Sequence, residues 1–314
     1  MSGSLLVVGG AHIDRRGRIA GTTVMGASNP GRWFEEPGGG GFNAARNLAR
    51  LGHEVRLIAP RGGDAAGMAV STEALRVGID DCPVVFLDRA TPSYTAILEA
   101  DGNLVIALAD MELYDLFGPR RTRTHSFRAA LADARHVLCD ANLPAETLAA
   151  LAGAAAARGL PVFAIAISPA KVVRLLPCLA DLEMLFMNAA EAEALTGSRA
   201  DAAEGWPALL RERGLRGGVV TCGAGVVVAF DETGTAILSP PRLENVVDVT
   251  GAGDAFASGV ISARIEGCSL GEALRHGAAL AAITLCSPHA TAENLTRDLV
   301  NSYMSLVPQA EILS

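Results

Sequence analysis

The sequence predicts an α/β fold built on a mostly parallel β-sheet with helices on both faces. Short β-branched runs alternate with Ala- and Leu-rich stretches of helical periodicity along most of the chain. Half of the 314 residues are apolar and 19% are charged, so the chain can bury the core that such a sheet needs. The same composition excludes a disordered or low-complexity protein as a good interpretation.

The first elements form one strand–helix–strand unit. Residues 4–10 are an apolar run, and residues 43–51 have apolar side chains at helical spacing before Gly52, which is typical of a helix C-terminus. A second strand follows at 54–59. Further strands are predicted at 83–87, 136–140, 161–167, 184–187 and 218–221, and helices near 64–77, 144–158, 189–196 and 204–214.

Two stretches interrupt this alternation. Residues from about 15 to 36 are polar and rich in Gly and Pro, and residues from about 91 to 109 contain two apolar runs around Asp101-Gly102, a pair typical of a tight hairpin turn. We expect both to form one small β-sheet that acts as a lid. Another hairpin is predicted at 226–230 and 235–238, with mostly helix after Pro241. The sequence contains no repeat or linker, so a single domain over 1–314 is expected.

Charge and cysteine content exclude several functions. With 26 basic and 34 acidic residues the net charge is −8, which argues against nucleic acid as a partner. Backbone amides can still bind a small anion. The six cysteines lack metal-binding spacing, no signal peptide is evident, and no apolar stretch reaches the length of about 18 residues that a membrane span needs. We expect a soluble, cytoplasmic protein with no membrane partner.

The strongest local signal is Asp248-Val-Thr-Gly251-Ala252-Gly253-Asp254, a turn of small residues before a predicted helix that ends near Glu266. Small residues let consecutive N–H groups at a positive helix terminus approach a phosphoryl group. The alternative is a glycine turn with an acidic residue in the first helical turn.

This turn resembles the second motif of the ribokinase-like, PfkB-type family of carbohydrate and nucleoside kinases. Residues 37–45, Pro-Gly-Gly-Gly-Gly-Phe-Asn-Ala-Ala, resemble the first motif of that family. The motifs occur in the expected order, so the resemblance covers essentially the whole chain. It implies a three-layer α/β/α sandwich with a β-sheet lid, phosphoryl transfer from ATP to an alcohol, and Mg²⁺ as cofactor.

The resemblance also implies roles for individual residues. Asp254 would accept the proton of the attacking hydroxyl, and the amides of Gly251, Ala252 and Gly253 would stabilise the transferring group. The expected sugar contacts are Asp14, Gly39, Gly40 and Asn43. The expected nucleotide contacts are Asn188, Thr221, Gly223, Gly225 and Asn294. Glu191 would organise Mg²⁺ through water, and Asp248 a monovalent cation such as K⁺.

Shorter matches resemble the pseudouridine kinase subgroup. Ser28-Asn29-Pro30-Gly31 and Ser168-Pro169-Ala170-Lys171 add Asn29 and Lys171 to the expected substrate contacts. The implied product is pseudouridine 5′-phosphate. Three positions depart from the family patterns: His12 replaces a common Asn, Gly40 replaces a larger residue, and Ala166-Ile167 replaces an Asp-Pro pair of the subgroup.

Structural roles are open alternatives at several of these positions. Asn43 and the pair Asn188 and Glu191 could simply start helices, Asp14 could end a strand, and Lys171 could be a surface charge. Thr221 and Gly225 are more typical of a structural turn.

Other functions are also open. The acceptor could be another nucleoside or a sugar, of the ribose, adenosine, inosine or fructose type, or the chain could be a non-catalytic nucleotide or sugar sensor. A sensor would need no base at Asp254. The resemblance further implies a homodimer formed through the lid sheet.

Overall fold

The fold is organised around one large sheet, seen in a computed structural model that describes residues 4–313. The strands of this part of the chain are β1 Ser4–Val8, β2 His12–Ile19, β3 Gly31–Gly38, β4 Val55–Ile58, β5 Pro60–Gly62, β6 Asp80–Asp81, β7 Val84–Phe86, β8 Ser93–Leu98, β9 Leu104–Asp110, β10 Ala134–Asp140, β11 Val162–Ile165, β12 Met184–Asn188, β13 Gly218–Thr221, β14 Val227–Asp231, β15 Gly234–Leu238 and β16 Glu311–Leu313.

The α-helices alternate with these strands and cover the sheet. In the described residues they are α1 Gly40–Arg50, α2 Ala65–Arg76, α3 Glu112–Asp115, α4 His125–Asp133, α5 Ala145–Ala156, α6 Pro169–Val172, α7 Ala189–Thr196, α8 Trp206–Glu212, α9 Ala252–Ile265, α10 Leu270–Leu285 and α11 Arg297–Tyr303.

The central sheet has the strand order β16-β15-β14-β13-β12-β11-β10-β1-β4-β6. The strands from β13 to β6 in this order are parallel, and β14, β15 and β16 add antiparallel at one edge. The buried β1 shows why the sheet has two covered faces. Leu5 and Val7 pack into the core on the side of α1, α9 and α10, while Leu6 and Val8 pack on the side of α4, α5 and α8. This alternation is the pleat of a strand buried on both sides.

The lid is a separate sheet of four strands in the order β3-β2-β8-β9. The β2/β3 and β8/β9 pairs are antiparallel, and β2 pairs with β8 in parallel. The predicted three-layer sandwich and the predicted lid are both confirmed.

Four details differ from the sequence prediction. Residues 83–87 do not join the central sheet; β7 pairs with β5 in a small two-stranded sheet. Asp14 lies in the lid strand β2 and not at the end of the first strand, which stops at Val8. The predicted helix at 204–214 is a 3₁₀ turn, Ala203–Gly205, followed by α8. The last described residues form a strand and not a helix, because β16 pairs antiparallel with β15. None of the helices within residues 4–313 is long and apolar enough to cross a membrane.

Candidate active site

The candidate site lies where the carboxyl ends of the central parallel strands meet the N-termini of α1 and α9. Ligands of open α/β sheets bind at this edge, because the loops there leave a crevice between helices on opposite faces. The two glycine-rich motifs of the sequence open α1 and α9, and these helices pack on each other.

Asp254 and Asn43 connect the two motifs directly. Nδ2 of Asn43 donates a hydrogen bond of 2.8 Å to Oδ2 of Asp254. Burial raises the pKa of Asp254 to about 7, and the carboxylates of Asp140, Asp14 and Glu191 act in the same direction, while the Asn43 hydrogen bond opposes them. A carboxylate with a pKa near neutrality can accept a proton from an alcohol as that alcohol attacks.

The turn before α9 exposes free amides beside this carboxylate. Gly251 has φ 76°, and a Cβ at this position would collide with the backbone oxygen of Ala290. Only glycine fits here without strain. In the described part of the chain no group accepts the N–H of Gly253 or of Asp254. The expected amide role of Ala252 is weakened, because its N–H already donates to the carbonyl oxygen of Val249 at 3.3 Å. The N–H of Gly251 likewise has no acceptor in the described residues, so the amides of Gly251, Gly253 and Asp254 are the ones free to bind an anion.

Asp140, at the end of β10, organises the other glycine motif. Its fully buried Oδ2 accepts the N–H groups of Gly10 and Gly41, both at 2.8 Å, and Nδ2 of Asn142 at 3.0 Å. Nζ of Lys171 donates to Oδ1 of Asn142 at 2.6 Å. Sequence analysis missed Asp140; its signal is an acidic residue that directly follows the apolar run Val137-Leu-Cys.

Lys171 therefore contacts the site only through Asn142. Burial lowers the pKa of this lysine, and Asp140 opposes the shift. The predicted substrate contact of Lys171 is not tested by this geometry, but the alternative of a free surface charge is wrong.

The departures from the family patterns at Gly40 and Ile167 are connected, because these two residues lie against each other. Ile167 is the non-glycine residue with positive φ, 71°, within residues 4–313, and it follows β11 at the carboxyl edge of the sheet. A Cβ at position 40 would collide with Cδ1 of Ile167 and lie 3.4 Å from Oδ1 of Asp254. The isoleucine side chain thus takes the space that a larger residue at position 40 would fill. A β-branched residue in the left-handed region is strained, and such strain concentrates at functional sites.

Asp14 enters the site from the lid and is oriented by His12. Nε2 of His12 lies 3.2 Å from Oδ1 of Asp14, and Nδ1 lies 2.9 Å from the buried Tyr114 hydroxyl. Burial raises the pKa of Tyr114 well above its usual value, so the phenol stays protonated and can donate to Nδ1. This places the imidazole hydrogen on Nε2, where it faces the carboxylate. His12, at the position where many family members carry Asn, therefore donates to Asp14.

The expected nucleotide residues follow two adjacent strands. Asn188 ends β12, Thr221 ends β13, and these two residues are paired in register. Asn188 and Glu191 form a reciprocal cap of α7: Oδ1 of Asn188 accepts the N–H of Glu191 at 2.9 Å, and Oε2 of Glu191 accepts the N–H of Asn188 at 2.7 Å. The helix-cap alternative is confirmed for this pair. Burial raises the pKa of Glu191.

The turn after β13 brings the two remaining glycines to the same edge. Gly223 has φ 60°, and the N–H of Gly225 donates to the carbonyl oxygen of Cys222 at 2.9 Å. Asn294 is exposed and lines a separate cavity of about 440 Å³ with Ser287, His289 and Tyr303.

Asp248 makes a different contact from the one predicted. Its Oδ2 accepts from Arg16 of the lid at 2.6 Å, and its Oδ1 accepts from both the N–H and the hydroxyl of Thr250. Burial works to raise the pKa of Asp248, but the Thr250 and Arg16 contacts outweigh it and lower the pKa. Arg16 therefore supplies a positive charge beside this carboxylate, and the expected monovalent cation at Asp248 stays a prediction.

Asn29 lies away from these groups. Its amide closes the β2/β3 hairpin loop through Val24 and Ala27. Asp14 pairs with Glu36 near the opposite end of this hairpin, and Glu36 lies seven residues after Asn29 on the β3 side, which corresponds to roughly 20 Å. The structure does not bring Asn29 to the candidate site.

This fold and site define a kinase that transfers a phosphoryl group to a small molecule. Residues 3–297 match the pfkB family of carbohydrate kinases. The chain belongs to this family and is an ATP-dependent kinase of a sugar or nucleoside.

Individual relatives cover the whole length. The chain is 30% identical to pseudouridine kinase from Escherichia coli K12, over 99% of this chain and 98% of that protein. It is 26% identical to ribokinase from Haemophilus influenzae, over 95% and 97%. A solved structure of a carbohydrate kinase from Agrobacterium tumefaciens is 59% identical with a TM-score of 0.91, and all of both chains is covered. Ribokinase from Arabidopsis thaliana, solved with ribose and ATP, shares the fold at 24% identity and a TM-score of 0.84, over 97% and 99%.

Proposed function

We propose that this chain transfers the γ-phosphoryl group of ATP to the primary 5′-hydroxyl of a ribosyl compound, and that pseudouridine is the acceptor. The reaction type is supported by one juxtaposition: the Asp254 carboxyl, held by Asn43, lies at the N-terminus of α9 next to free amides. The acceptor is supported by 30% identity to a pseudouridine kinase over nearly the full length of both proteins.

Each group then has one task. Oδ1 of Asp254 takes the hydroxyl proton as the new O–P bond forms, and the bond from the γ-phosphorus to the bridging oxygen breaks to release ADP. The N–H groups of Gly253 and Asp254 donate to the oxygens of the transferring group. Asp14, oriented by His12, accepts from ribose hydroxyls.

Glu191 fits an indirect role toward Mg²⁺. One carboxylate oxygen is used in the α7 cap, while Oε1 has no hydrogen-bond partner among residues 4–313, and the carboxyl is close enough to Asp254 to raise its pKa. Mg²⁺ usually keeps several waters and is bound through one or two carboxylates and substrate phosphates, so a single free carboxylate oxygen suits this role. When bound, Mg²⁺ would neutralise charge on the phosphates.

The outer face of the lid supports a homodimer. Arg16 faces the site, so the next residue, Gly17, faces outward, and its cross-strand neighbours Trp33 and Ile97 lie on the same face. Ile106 and Leu108 of β9 extend this face and are 65% and 69% exposed. An exposed group of large apolar side chains, here beside the Arg15–Glu35 ion pair, is typical of an interface.

The test is ADP release with purified protein, ATP and Mg²⁺, over a panel of pseudouridine, uridine, adenosine, inosine, guanosine, ribose and fructose. We expect the highest kcat/KM with pseudouridine and a 5′-phosphate product by ³¹P NMR. Preference for guanosine or inosine would favour the activity of a 28% identical guanosine-inosine kinase from Exiguobacterium acetylicum. Nucleoside binding without ADP release under any divalent cation would overturn the kinase and favour a sensor.

A further inference from the structure

A buried arginine stands behind the candidate base. Arg46 lies one turn after Asn43 on α1 and is 5% exposed. Its Nη2 donates a hydrogen bond of 2.7 Å to Oδ1 of Asn43. The same Asn43 amide donates through Nδ2 to Oδ2 of Asp254 at 2.8 Å. The three side chains form a continuous chain from the packed interior of α1 to the cleft.

We propose that Arg46 is a positioning residue that fixes the Asn43 amide in the one orientation able to hold Asp254, which rests on the proposed role of Asp254 as base. A guanidinium has only donors, so it requires the carbonyl oxygen of the amide on its side. The NH₂ group must then face Asp254. With the amide reversed, NH₂ would face the guanidinium and the carbonyl oxygen would face the carboxylate, and both contacts are repulsive.

This orientation decides which oxygen of Asp254 is used. Oδ2 is held by Asn43, and Oδ1 is directed over Gly40, where a Cβ would lie only 3.4 Å away. Oδ1 is therefore the oxygen of Asp254 that Asn43 leaves free for the proton of an acceptor hydroxyl.

Arg46 is itself held from the other side by α2. Its Nη1 lies 3.5 Å from Oε1 of Glu73, and its guanidinium carbon lies 4.9 Å from the centre of the Phe42 ring. Arg50 provides a matched comparison, because its guanidinium also approaches Oε1 of Glu73, at 3.8 Å, yet its own hydrogen bond goes to Thr291 and not to Asn43. The two arginines share one ion-pair partner and differ in their connection to Asp254.

The experiment compares Arg46→Met with Arg50→Met, both checked for folding by circular dichroism. We expect Arg46→Met to lower kcat about tenfold, the effect of roughly one charge-assisted hydrogen bond, with KM for ATP unchanged. Arg50→Met should retain kcat within about twofold. Arg46→Lys, which is also a donor only, should recover most of the loss. Should Arg46→Met not fold, Arg46→Gln replaces it, since its amide can donate or accept and imposes no orientation.

Two readouts separate positioning from a structural role. In an Asn43→Ala background, Arg46→Met should have no further effect on kcat; an undiminished effect there, or equal kcat in the Arg46 and Arg50 variants, overturns the proposal.

The ¹³C carboxyl resonance of Asp254 should titrate at higher pH in Arg46→Met than in Arg50→Met, because the bond to its charged form is weakened while Asp14, Asp140 and Glu191 still face it. This titration needs no turnover, so an unchanged midpoint would reject the inference even in an inactive protein. Failure to phosphorylate any acceptor would instead reject the proposed function.

Discussion

Asn43 and Asp254, 211 residues apart in the chain, are joined by a hydrogen bond of 2.8 Å between the first turns of two packed helices. Each helix begins in a glycine-rich turn, so both termini reach the same crevice without side chains in the way. The bond therefore joins the two glycine-rich motifs at one carboxylate.

Asp254→Asn should lower kcat at least a hundredfold, because the amide cannot take the hydroxyl proton while its size and its contact position remain. Steady-state ADP release on the best acceptor measures this. Asp88→Asn, an exposed carboxylate on the surface, is the control and should leave kcat unchanged. Turnover above about a hundredth of wild type in the Asp254 variant would contradict the role of base.

The pH dependence of kcat/KM should show an acidic limb near pH 7. The carboxylate form is the active one, and the raised pKa of about 7 means that the free enzyme loses it as the pH falls through this value. A limb near pH 4, the ordinary range of an aspartic acid, would show that Asp254 is not the titrating group.

The same pKa makes a prediction about stability. The folded protein binds the Asp254 proton more tightly than the unfolded chain does, so this stabilisation is complete below about pH 4 and is lost as the pH rises to about 7. Asp254→Asn, which resembles the protonated form, should therefore raise Tm over wild type at pH 8 more than at pH 5. Thermal unfolding at the two values tests this, and an equal or opposite difference would contradict the burial of the charge.

The sequence predicted the parallel sheet and the lid, because these depend on local periodicity and turn signals. The family resemblance assigned roles to Asp254 and Asn43, but their hydrogen bond is visible only in the fold. Sequence analysis missed Asp140, since a single acid after an apolar run has no local pattern that distinguishes it from a turn residue. It also interpreted Gly40 and Ile167 as separate departures. Only the fold shows that the Ile167 side chain fills the space beside Gly40, 127 positions earlier in the chain.

Asn29 shows how a short sequence match can assign a residue to a site that it does not reach. Its four-residue match is local, and such a match contains no information about which end of a hairpin it occupies. The hydrogen bonds to Val24 and Ala27 place it in the loop far from Asp14.

Gly253 and Gly251 should respond differently to alanine. At Gly251 the positive φ and the Ala290 oxygen oppose a side chain, so Gly251→Ala should lower the free energy of unfolding by more than about 2 kcal/mol. At Gly253 a Cβ meets nothing within 4 Å, so the variant should be as stable as wild type or up to about 1 kcal/mol more stable.

Activity measurements should distinguish an effect on phosphate binding at Gly253 from an effect on stability at Gly251. A helical Cβ tilts toward the N-terminus, so a methyl at Gly253 would occupy the space of the phosphoryl group. We expect kcat/KM for ATP to fall at least about tenfold in this stable variant. Urea unfolding and ADP release measure the pair, and a fully active Gly253→Ala would exclude a phosphate contact at that amide.

If the outer face of the lid forms the proposed dimer, a charge placed on it should disrupt the dimer. Ile106→Glu should shift wild-type dimer to monomer in sedimentation velocity, because the carboxylate would be buried in an apolar contact. Leu75→Glu, on the 71% exposed Leu75 of α2, is the control and should not change the mass. A wild-type monomer at micromolar concentration would reject the interface.

Asp140→Asn should change stability and the pH profile in known directions. Both Asp140 oxygens accept N–H groups, so an amide that keeps its oxygen on Gly10 and Gly41 must turn its NH₂ group toward the N–H of Asn142, and the free energy of unfolding should fall by about 1–3 kcal/mol. The Asp140 charge also raises the pKa of Asp254, so its removal should move the acidic limb of kcat/KM to lower pH. Urea unfolding and a pH profile of the folded variant measure both effects. Loss of stability with an unchanged limb would mean that Asp140 only organises the glycine turns, whereas a shifted limb shows that its charge also tunes the base.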